Sequence, residues 1–435
     1  MPNKKIFCNV PWTNTHIYWD GSYGVCCSEK EPPHRDSAKY NLKNITVDTW
    51  YNSEPMKKFR KSITSNDPIP ACRGCYREEN YGYESRRIKE NFKSVIFTEQ
   101  AFDRSYQQSP YYQEFESSDG VTSKQPIDWH VDLGNECNLA CKMCLPRASS
   151  VISNMYVKWK LIDQSANQNW TRETAAWDNF TNGILNVPEL NRLHFMGGEP
   201  LLNKRFVELL DFLIEADRTA MSISFVSNGT LINPDIIQKL KKFKSFDIEI
   251  SIESVNRNND YIRQGSNIKD VLKNIYWLKE QQSDQFHLVI RSVPQLLNIN
   301  NYDEYIMWAW DNQLPIQGIP LVDPAYLQIL VLPLSIRKKI KEKYIKLKLF
   351  LEQQQPNIKT ITTGRNVGNL AQQLLRECRS VMAMLDASEP SNIDDLRREL
   401  SLWLMRWDKE YKLNAFDYYP EYKDFLVDIG YEYPV

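Results

Sequence analysis

The sequence predicts an α/β fold in which short parallel strands alternate with helices, and three observations carry that expectation. From Ile127 onward six short apolar runs recur, each ended by Gly, Ser, Asn or Pro. Between most of them lie amphipathic stretches of helical period, and such alternation implies parallel strands joined by helical crossovers. The chain is 435 residues long, enough for two or three domains and a sizeable core.

The expected strands are Ile127 to Leu133, Leu193 to Met196, Ser222 to Ser227, Phe246 to Ile252, Leu288 to Val293 and Ile316 to Val322. The helical stretches are Lys204 to Asp217, Asp235 to Phe243, Ile268 to Gln282 and Tyr302 to Trp310, with Asn233 and Asn267 placed as N-caps. The first connection is longer, and Ala148 to Leu161 and Trp170 to Leu185 read as helices within it. A structureless loop of that length would count against the assignment. After Pro333 the stretches Ser335 to Gln354, Asn366 to Asp386 and Ile393 to Lys412 read as a helical extension. Residues 1 to 125 carry Tyr, Trp, Pro and charge with little apolar period and include the polar stretch 107 to 113, so loop-rich structure organised by a metal centre is expected there. The expected division is 1–125, 126–325 and 326–435.

Composition narrows the function. Lys plus Arg is 54 against Asp plus Glu 55, a net charge of -1, without the basic excess that nonspecific nucleic-acid binding requires. No apolar run reaches the length of a bilayer span, and the first residues lack the apolar core of an export signal. A cytoplasmic protein without a nucleic-acid or membrane partner is expected. Nine cysteines stand at 8, 26, 27, 72, 75, 137, 141, 144 and 378. Their odd number and tight clustering argue for metal ligation over disulfides.

Cys137-Asn-Leu-Ala-Cys141-Lys-Met-Cys144 places three thiols on one short loop after a strand. Three thiolates can hold three corners of a four-iron four-sulfur cube and leave one iron open. A structural zinc site wants four ligands, and no His or further Cys follows within the next 40 residues. This Cys-x3-Cys-x2-Cys spacing resembles the signature of the radical S-adenosylmethionine superfamily, whose core is a partial (βα)6 barrel of TIM-like type. The resemblance covers about residues 126–325. It implies that the open iron chelates S-adenosylmethionine and that reductive cleavage yields a 5′-deoxyadenosyl radical, which abstracts a hydrogen atom from the substrate.

Further positions resemble the family at strand ends, where barrel enzymes place their sites. Gly197-Gly198-Glu199-Pro200 is similar to the motif that accepts hydrogen bonds from the S-adenosylmethionine amino group. Ser227-Asn228 and Ser251-Ile252-Glu253 resemble segments that contact the ribose and methionyl parts, and Arg263 resembles the arginine that pairs with the carboxylate. Two residues depart from the common pattern: Met143 stands where an aromatic residue more often packs on the adenine, and Glu253 where Asp is commoner.

Near the N-terminus, Cys8-x12-Gly21-x4-Cys26 is followed by Cys72-x2-Cys75. The pattern resembles the SPASM and twitch auxiliary-cluster domains of radical enzymes, and Asp20-Gly21 is a hairpin turn signal. In the family this domain follows the barrel, whereas here it precedes it. By resemblance Cys8, Cys26, Cys72 and Cys75 hold an auxiliary four-iron four-sulfur cluster. On spacing alone zinc fills four thiols equally, and Cys27 competes with Cys26, which the Gly-x4-Cys spacing favours.

The remaining polar residues read as ordinary. The five histidines at 16, 34, 130, 194 and 287 form no ligand pair in sequence, and His130 and His194 on strands are core or lumen residues before they are catalysts. Lys338 to Lys348 reads first as a solvated helix face and second as a contact for a peptide or acidic partner, and Cys378 reads as a small buried hydrophobe. The expected function is an oxidoreductase-type or peptide-modifying enzyme acting on a peptide or a small molecule, fed by an electron donor such as flavodoxin or ferredoxin. An iron-sulfur redox sensor and a zinc-organised interaction module are the rival readings.

Overall fold

The computed structural model describes residues 7–29, 36–65, 69–93, 119–166, 169–354, 360–363 and 366–433. The polar stretch 107–113 and His34 lie outside them. Strands β1 (Asn14–Ile17), β2 (Tyr23–Gly24), β3 (Asp128–Asp132), β5 (Arg192–Met196), β6 (Ser222–Ser227), β7 (Ser245–Ser251), β9 (Phe286–Ser292) and β10 (Ile316–Gly318) form one sheet in the order β10-β9-β7-β6-β5-β3-β1-β2. The six strands from β3 to β10 are parallel to their neighbours. Two short strands, β4 (Ala140–Cys141) and β8 (Arg263–Gln264), pair separately. The arrangement is a mixed α/β fold consistent with a partial barrel, followed by a helical C-terminal region.

The six strands arise where the apolar runs place them because their faces differ. In β7, Phe246, Ile248 and Ile250 are buried in the core, while Ser245, Asp247, Glu249 and Ser251 are only partly buried. Side chains alternate across a strand. The even-numbered residues therefore join the hydrophobic core and the odd-numbered ones turn to the other face. Asn233 and Asn267 are N-caps, their side chains accepting from Ile236 N and Lys269 N.

Three expectations change. Residues 1 to 125, expected as loop-rich, hold helices Val47–Tyr51, Glu54–Thr64, Arg73–Asn80 and Arg86–Lys93. Met56, Phe59 and Ile63 bury one face of the second of these at helical spacing, and the buried Arg60 donates to the carbonyls of Pro11 and Gly120. The helix expected from Asn366 begins instead at Leu370, because Asn369 caps it by accepting from Gln372 N. The preceding residues form strand β12 (Asn366–Asn369), paired antiparallel with β11 (Thr360–Thr363). The last barrel strand stops at Gly318 rather than Val322, two residues before Pro320, which has no N–H for a ladder.

The most consequential feature lies between distant segments. β1 pairs with β2 as the hairpin that Asp20-Gly21 signals, and Gly21 adopts a positive φ of 79°. β1 also pairs in parallel with β3, Asn14 opposite Asp128 and Ile17 opposite Val131. The N-terminal segment thus lends two strands to the sheet of the barrel.

At the opposite end of the sheet, helix Leu370–Asp386 packs against β10. Its Glu377 carboxylate accepts from Tyr83 Oη (3.0 Å), Tyr302 Oη (2.9 Å) and Gly318 N (3.2 Å). A Cβ at Gly318 would lie 1.9 Å from that carboxylate, so glycine is needed for the approach. Burial is the main cause that raises the Glu377 carboxyl from 4.5 to about 7, against its hydrogen bonds from Tyr302 and Tyr83. Its stability contribution is complete below about pH 4.5 and is lost as pH rises through about 7. We expect Glu377→Gln to flatten the fall in unfolding free energy between pH 5 and pH 7.5 by on the order of 3 kcal/mol, measured by urea titration at each pH. An unchanged slope would contradict this.

Candidate active site

The loop after β3 carries Cys137, Cys141 and Cys144, and local hydrogen bonds set its path. Cys137 N donates to Ser150 Oγ (3.1 Å), and Cys144 N to the Cys141 carbonyl (2.9 Å). Asn135 Nδ2 donates to the carbonyls of Pro146 and Ala166, each at 3.0 Å. Within the loop, β4 pairs antiparallel with β8, which sets Cys141 directly opposite Arg263. Burial pushes the Cys137 thiol up to about 11 and those of Cys141 and Cys144 upward as well. Cys141 is raised further by both other thiols, so the three are within electrostatic reach of one another. Among the described residues no three His, Cys, Asp or Glu side chains are grouped to hold one metal ion. Three soft donors on one loop fit three corners of a four-iron four-sulfur cluster.

The other strand ends gather around this loop. Gly197 and Gly198 have φ of 77° and 53°, and a Cβ at Gly198 would lie 2.1 Å from the Glu136 carbonyl. Only glycine permits that approach, and Glu199 N then donates to the same carbonyl (2.7 Å). Pro200 opens a short 3-10 turn. The buried Glu199 carboxylate accepts from Ser227 Oγ (2.9 Å) and Asn228 N (2.7 Å). Asn228 Nδ2 in turn donates to Asn138 Oδ1 in the cysteine loop (2.8 Å). Burial raises the Glu199 carboxyl, and these hydrogen bonds oppose the rise.

Glu253 follows β7 and is fully buried. It accepts from Arg263 Nη2 (2.6 Å), Ser292 Oγ (3.0 Å), Val293 N (2.9 Å) and Asn298 Nδ2 (3.1 Å). Arg263 is thereby paired to Glu253, while its Nη1 lies 3.8 Å from Cys141 Sγ. Ser251 ends β7, and Met143 is half-buried against the core. The sequence-predicted residues of strands β5, β6 and β7 and of β8 are thus brought to one end of the sheet.

The C-terminal region closes over the same loop. Trp407 of helix Ile393–Tyr411 packs with Ala140, Ile152 and Met155. Lys142, between the second and third cysteines, lies 4.0 Å from the Tyr261 ring centroid and 5.1 Å from that of Trp407. Burial pushes its ammonium down to about 7 against the opposing charge of Asp408 and Cys141.

The second cysteine group sits at the other end of β3. Cys8 precedes β1, and its neighbours are clamped by Asn91, whose Nδ2 donates to the Phe7 carbonyl (2.9 Å) while its Oδ1 accepts from Asn9 N (2.8 Å). Continuing the β1–β2 register, Cys26 is level with Asn14, hence with the start of β3. Burial raises the thiols of Cys8 (to about 12), Cys26, Cys72 and Cys75. Cys8 and Cys72 are raised further by Cys75, and Cys26 by Cys27 and Cys75. Cys8 and Cys75 are buried and Cys26 and Cys72 partly so, and four thiols, three of them within electrostatic reach of Cys75, are a donor set that suits an iron-sulfur centre. Cys27 turns elsewhere: its Sγ meets Arg86 Nη1 at 2.6 Å and faces a cavity.

That cavity, of about 570 Å³, lies on the polar inner face of the strands, and Cys27 and Arg86 of the N-terminal segment border it. His130, Arg192, His194, Met196, Glu249 and Arg291 line it from the strands, and helix Leu370–Asp386 contributes Arg376 and Glu377. The His130 and His194 rings are 4.5 Å apart, so two histidines separate in sequence become neighbours. The lumen residues were missed as a set. Their signal was a period of two, in Asp128-x-His130-x-Asp132, Arg192-x-His194 and Asp247-x-Glu249, which marks a polar inner face. Arg86 carried no such signal.

We expect Glu253→Ala to leave Arg263 buried and unpaired, lowering unfolding free energy by about 3–5 kcal/mol in denaturant titration. A loss below about 1 kcal/mol, the range of an exposed pair, would contradict that role.

Residues 131–295 match the model of the radical SAM superfamily, and residues 8–76 match that of the SPASM iron-sulfur cluster-binding domain. The radical SAM cyclopropyl synthase TigE of Paramaledivibacter caminithermalis is 34% identical over 161 residues, 35% of this chain and 32% of that enzyme. An uncharacterized protein of Methanocaldococcus jannaschii is 29% identical over 151 residues, 33% of this chain and 46% of that protein. The matches therefore span less than half the length of these curated relatives. Among solved structures, Streptococcus suis SuiB bound to precursor peptide SuiA is 15% identical with a TM-score of 0.39, over 69% of this chain and 64% of that one. Native anSMEcpe with bound AdoMet is 17% identical with a TM-score of 0.40, over 53% and 62%.

Proposed function

We propose, for this member of the radical SAM superfamily with a SPASM iron-sulfur cluster-binding domain ahead of its barrel, that the chain modifies a peptide or protein by abstracting a hydrogen atom in the barrel lumen. Its cofactors are a four-iron four-sulfur cluster, S-adenosylmethionine and auxiliary iron-sulfur. When bound, the cluster and S-adenosylmethionine supply reductive cleavage to methionine and a 5′-deoxyadenosyl radical, the species that takes the hydrogen atom. The observation that carries the reading is the two thiol groups at opposite ends of β3, whose His130 lines a ligand-sized cavity.

In this reading Cys137, Cys141 and Cys144 hold the first centre. Gly197, Gly198, Glu199 and Pro200 form the wall that receives the amino group of S-adenosylmethionine, and Ser227, Asn228 and Ser251 border its ribose and methionyl parts. Arg263, held by Glu253, offers the remaining guanidinium edge to the carboxylate, and Met143 packs beside the adenine. Cys8, Cys26, Cys72 and Cys75 hold the auxiliary centre, and an electron donor such as flavodoxin or ferredoxin supplies the electron for the reductive cleavage. The segments 1–125, 126–325 and 326–435 act as cluster domain, barrel and cover.

The peptide assignment rests on the lumen wall. Guanidinium, imidazole, carboxylate and amide groups match the donors and acceptors of a peptide backbone, and about 570 Å³ is a ligand-sized volume. It admits a side chain with its flanking amides.

Anaerobically reconstituted full-length protein, given dithionite and S-adenosylmethionine, is expected to release 5′-deoxyadenosine. Cys141→Ala should abolish that release and lower iron from about eight to about four per chain. Full release by the variant would overturn the assignment. For the substrate class, a cross-link from a photoreactive peptide to lumen residues supports the reading, and labelling confined to the surface contradicts it.

A further inference from the structure

Arg86 opens helix Arg86–Lys93 and crosses from the N-terminal segment to the barrel. Its Nη1 lies 2.6 Å from Cys27 Sγ and 2.7 Å from His130 Nδ1. A guanidinium only donates, so His130 Nδ1 accepts and the imidazole carries its proton on Nε2. The arginine therefore ties the residue next to Cys26 to the middle of the first barrel strand.

Among the described residues Arg86 forms no ion pair with a carboxylate. Among the described residues, the other arginines lining the cavity are paired: Arg192 with Asp128 (3.5 Å), Arg291 with Glu249 (2.9 Å) and Arg376 with Glu84 (3.7 Å). The next residue in sequence, Arg87, is paired with Glu79, its Nε donating at 3.1 Å. Arg86 makes no such ion pair, and its Nε and Nη2 are buried without a hydrogen-bond acceptor. The Cys27 thiol is its nearest anionic-capable neighbour, and Glu90, Cys26 and Asp128 face it at longer range. A buried cation requires a counter-charge. Thiolates around iron and sulfide supply one, because such a centre is anionic and its reduced state is the more negative.

We propose that Arg86 is the counter-charge of the auxiliary centre on its lumen side, a positioning residue that balances the charge at Cys26 while fixing Cys27 and His130 at the cavity wall. The inference rests on the reading that Cys8, Cys26, Cys72 and Cys75 hold an iron-sulfur centre. It gives the auxiliary centre a higher reduction potential than four thiolates alone would set, and it makes that potential depend on one charge shared with the substrate cavity.

The test is potentiometric titration of anaerobically reconstituted full-length protein, followed by electron paramagnetic resonance at both centres. In Arg86→Gln the auxiliary potential is expected to fall, while the centre at Cys137, Cys141 and Cys144 keeps its own. Arg86→Lys keeps the charge without the fork, and should hold the auxiliary potential near that of the unmodified protein. Should Arg86→Gln not take up the second centre, Arg86→Lys carries the test, and a fall there overturns the proposal. An unmoved auxiliary potential in Arg86→Gln, or equal falls in both variants, also overturns it. Iron content separates the two levels: about four irons per chain in the unmodified protein, in place of about eight, removes the auxiliary centre and the proposal with it. About eight irons with an unmoved potential removes only the role of Arg86.

Discussion

Four residues of parallel pairing hold the chemistry of this molecule in order. Asn14–Ile17 lies along Asp128–Val131 in register, and that short ladder turns a cysteine-rich N-terminal segment into an edge of the barrel sheet. A slip of one residue would turn every side chain of β1 to the opposite face, moving His16 away from Asp132, which it meets at 3.5 Å. The register also fixes direction. Because β1 runs parallel to β3, the hairpin returns Cys26 to the starting end of β3, while Cys137 follows its finishing end. One strand therefore separates two thiol groups, and its His130 lines the lumen.

The polar lumen has a cost that its pairing offsets. Buried charges are strongly unfavourable unless opposed, and the wall opposes them pairwise: Arg291 with Glu249, Arg192 with Asp128. Glu253 takes the same part beneath the cysteine loop, where it secures Arg263 opposite Cys141. The C-terminal region contributes to both ends of this design. Glu377 closes the sheet at Gly318, and Trp407 covers the loop beside Lys142. No helix among the described residues is long and apolar enough to cross a membrane.

Much of the fold was legible because its signals are local. Strand positions followed from apolar runs, and β6 begins and ends at Ser222 and Ser227 as read. Asn233 and Asn267 announced helix starts by a side chain that meets a backbone N–H two or three residues on. The cysteine spacings indicated clusters because thiolate geometry restricts a short loop. What stayed hidden depends on partners far apart in sequence. Nothing in Asn14–Ile17 specifies β3, a partner more than a hundred residues on, and nothing around Arg263 specifies Cys141. Arg86 sits in a run of charged residues that resembles any solvated helix, so its want of an ion pair among the described residues emerges only when the chain folds. The early N-terminal helices were overlooked because their apolar residues are few and widely spaced.

The account depends most on two distinct centres flanking one cavity, of which only the one at Cys137, Cys141 and Cys144 meets S-adenosylmethionine. Electron paramagnetic resonance of the reduced, oxygen-free protein tests this directly. Two signals are predicted, with S-adenosylmethionine altering one and leaving the other unchanged. A single signal, or two signals both indifferent to S-adenosylmethionine, would contradict it.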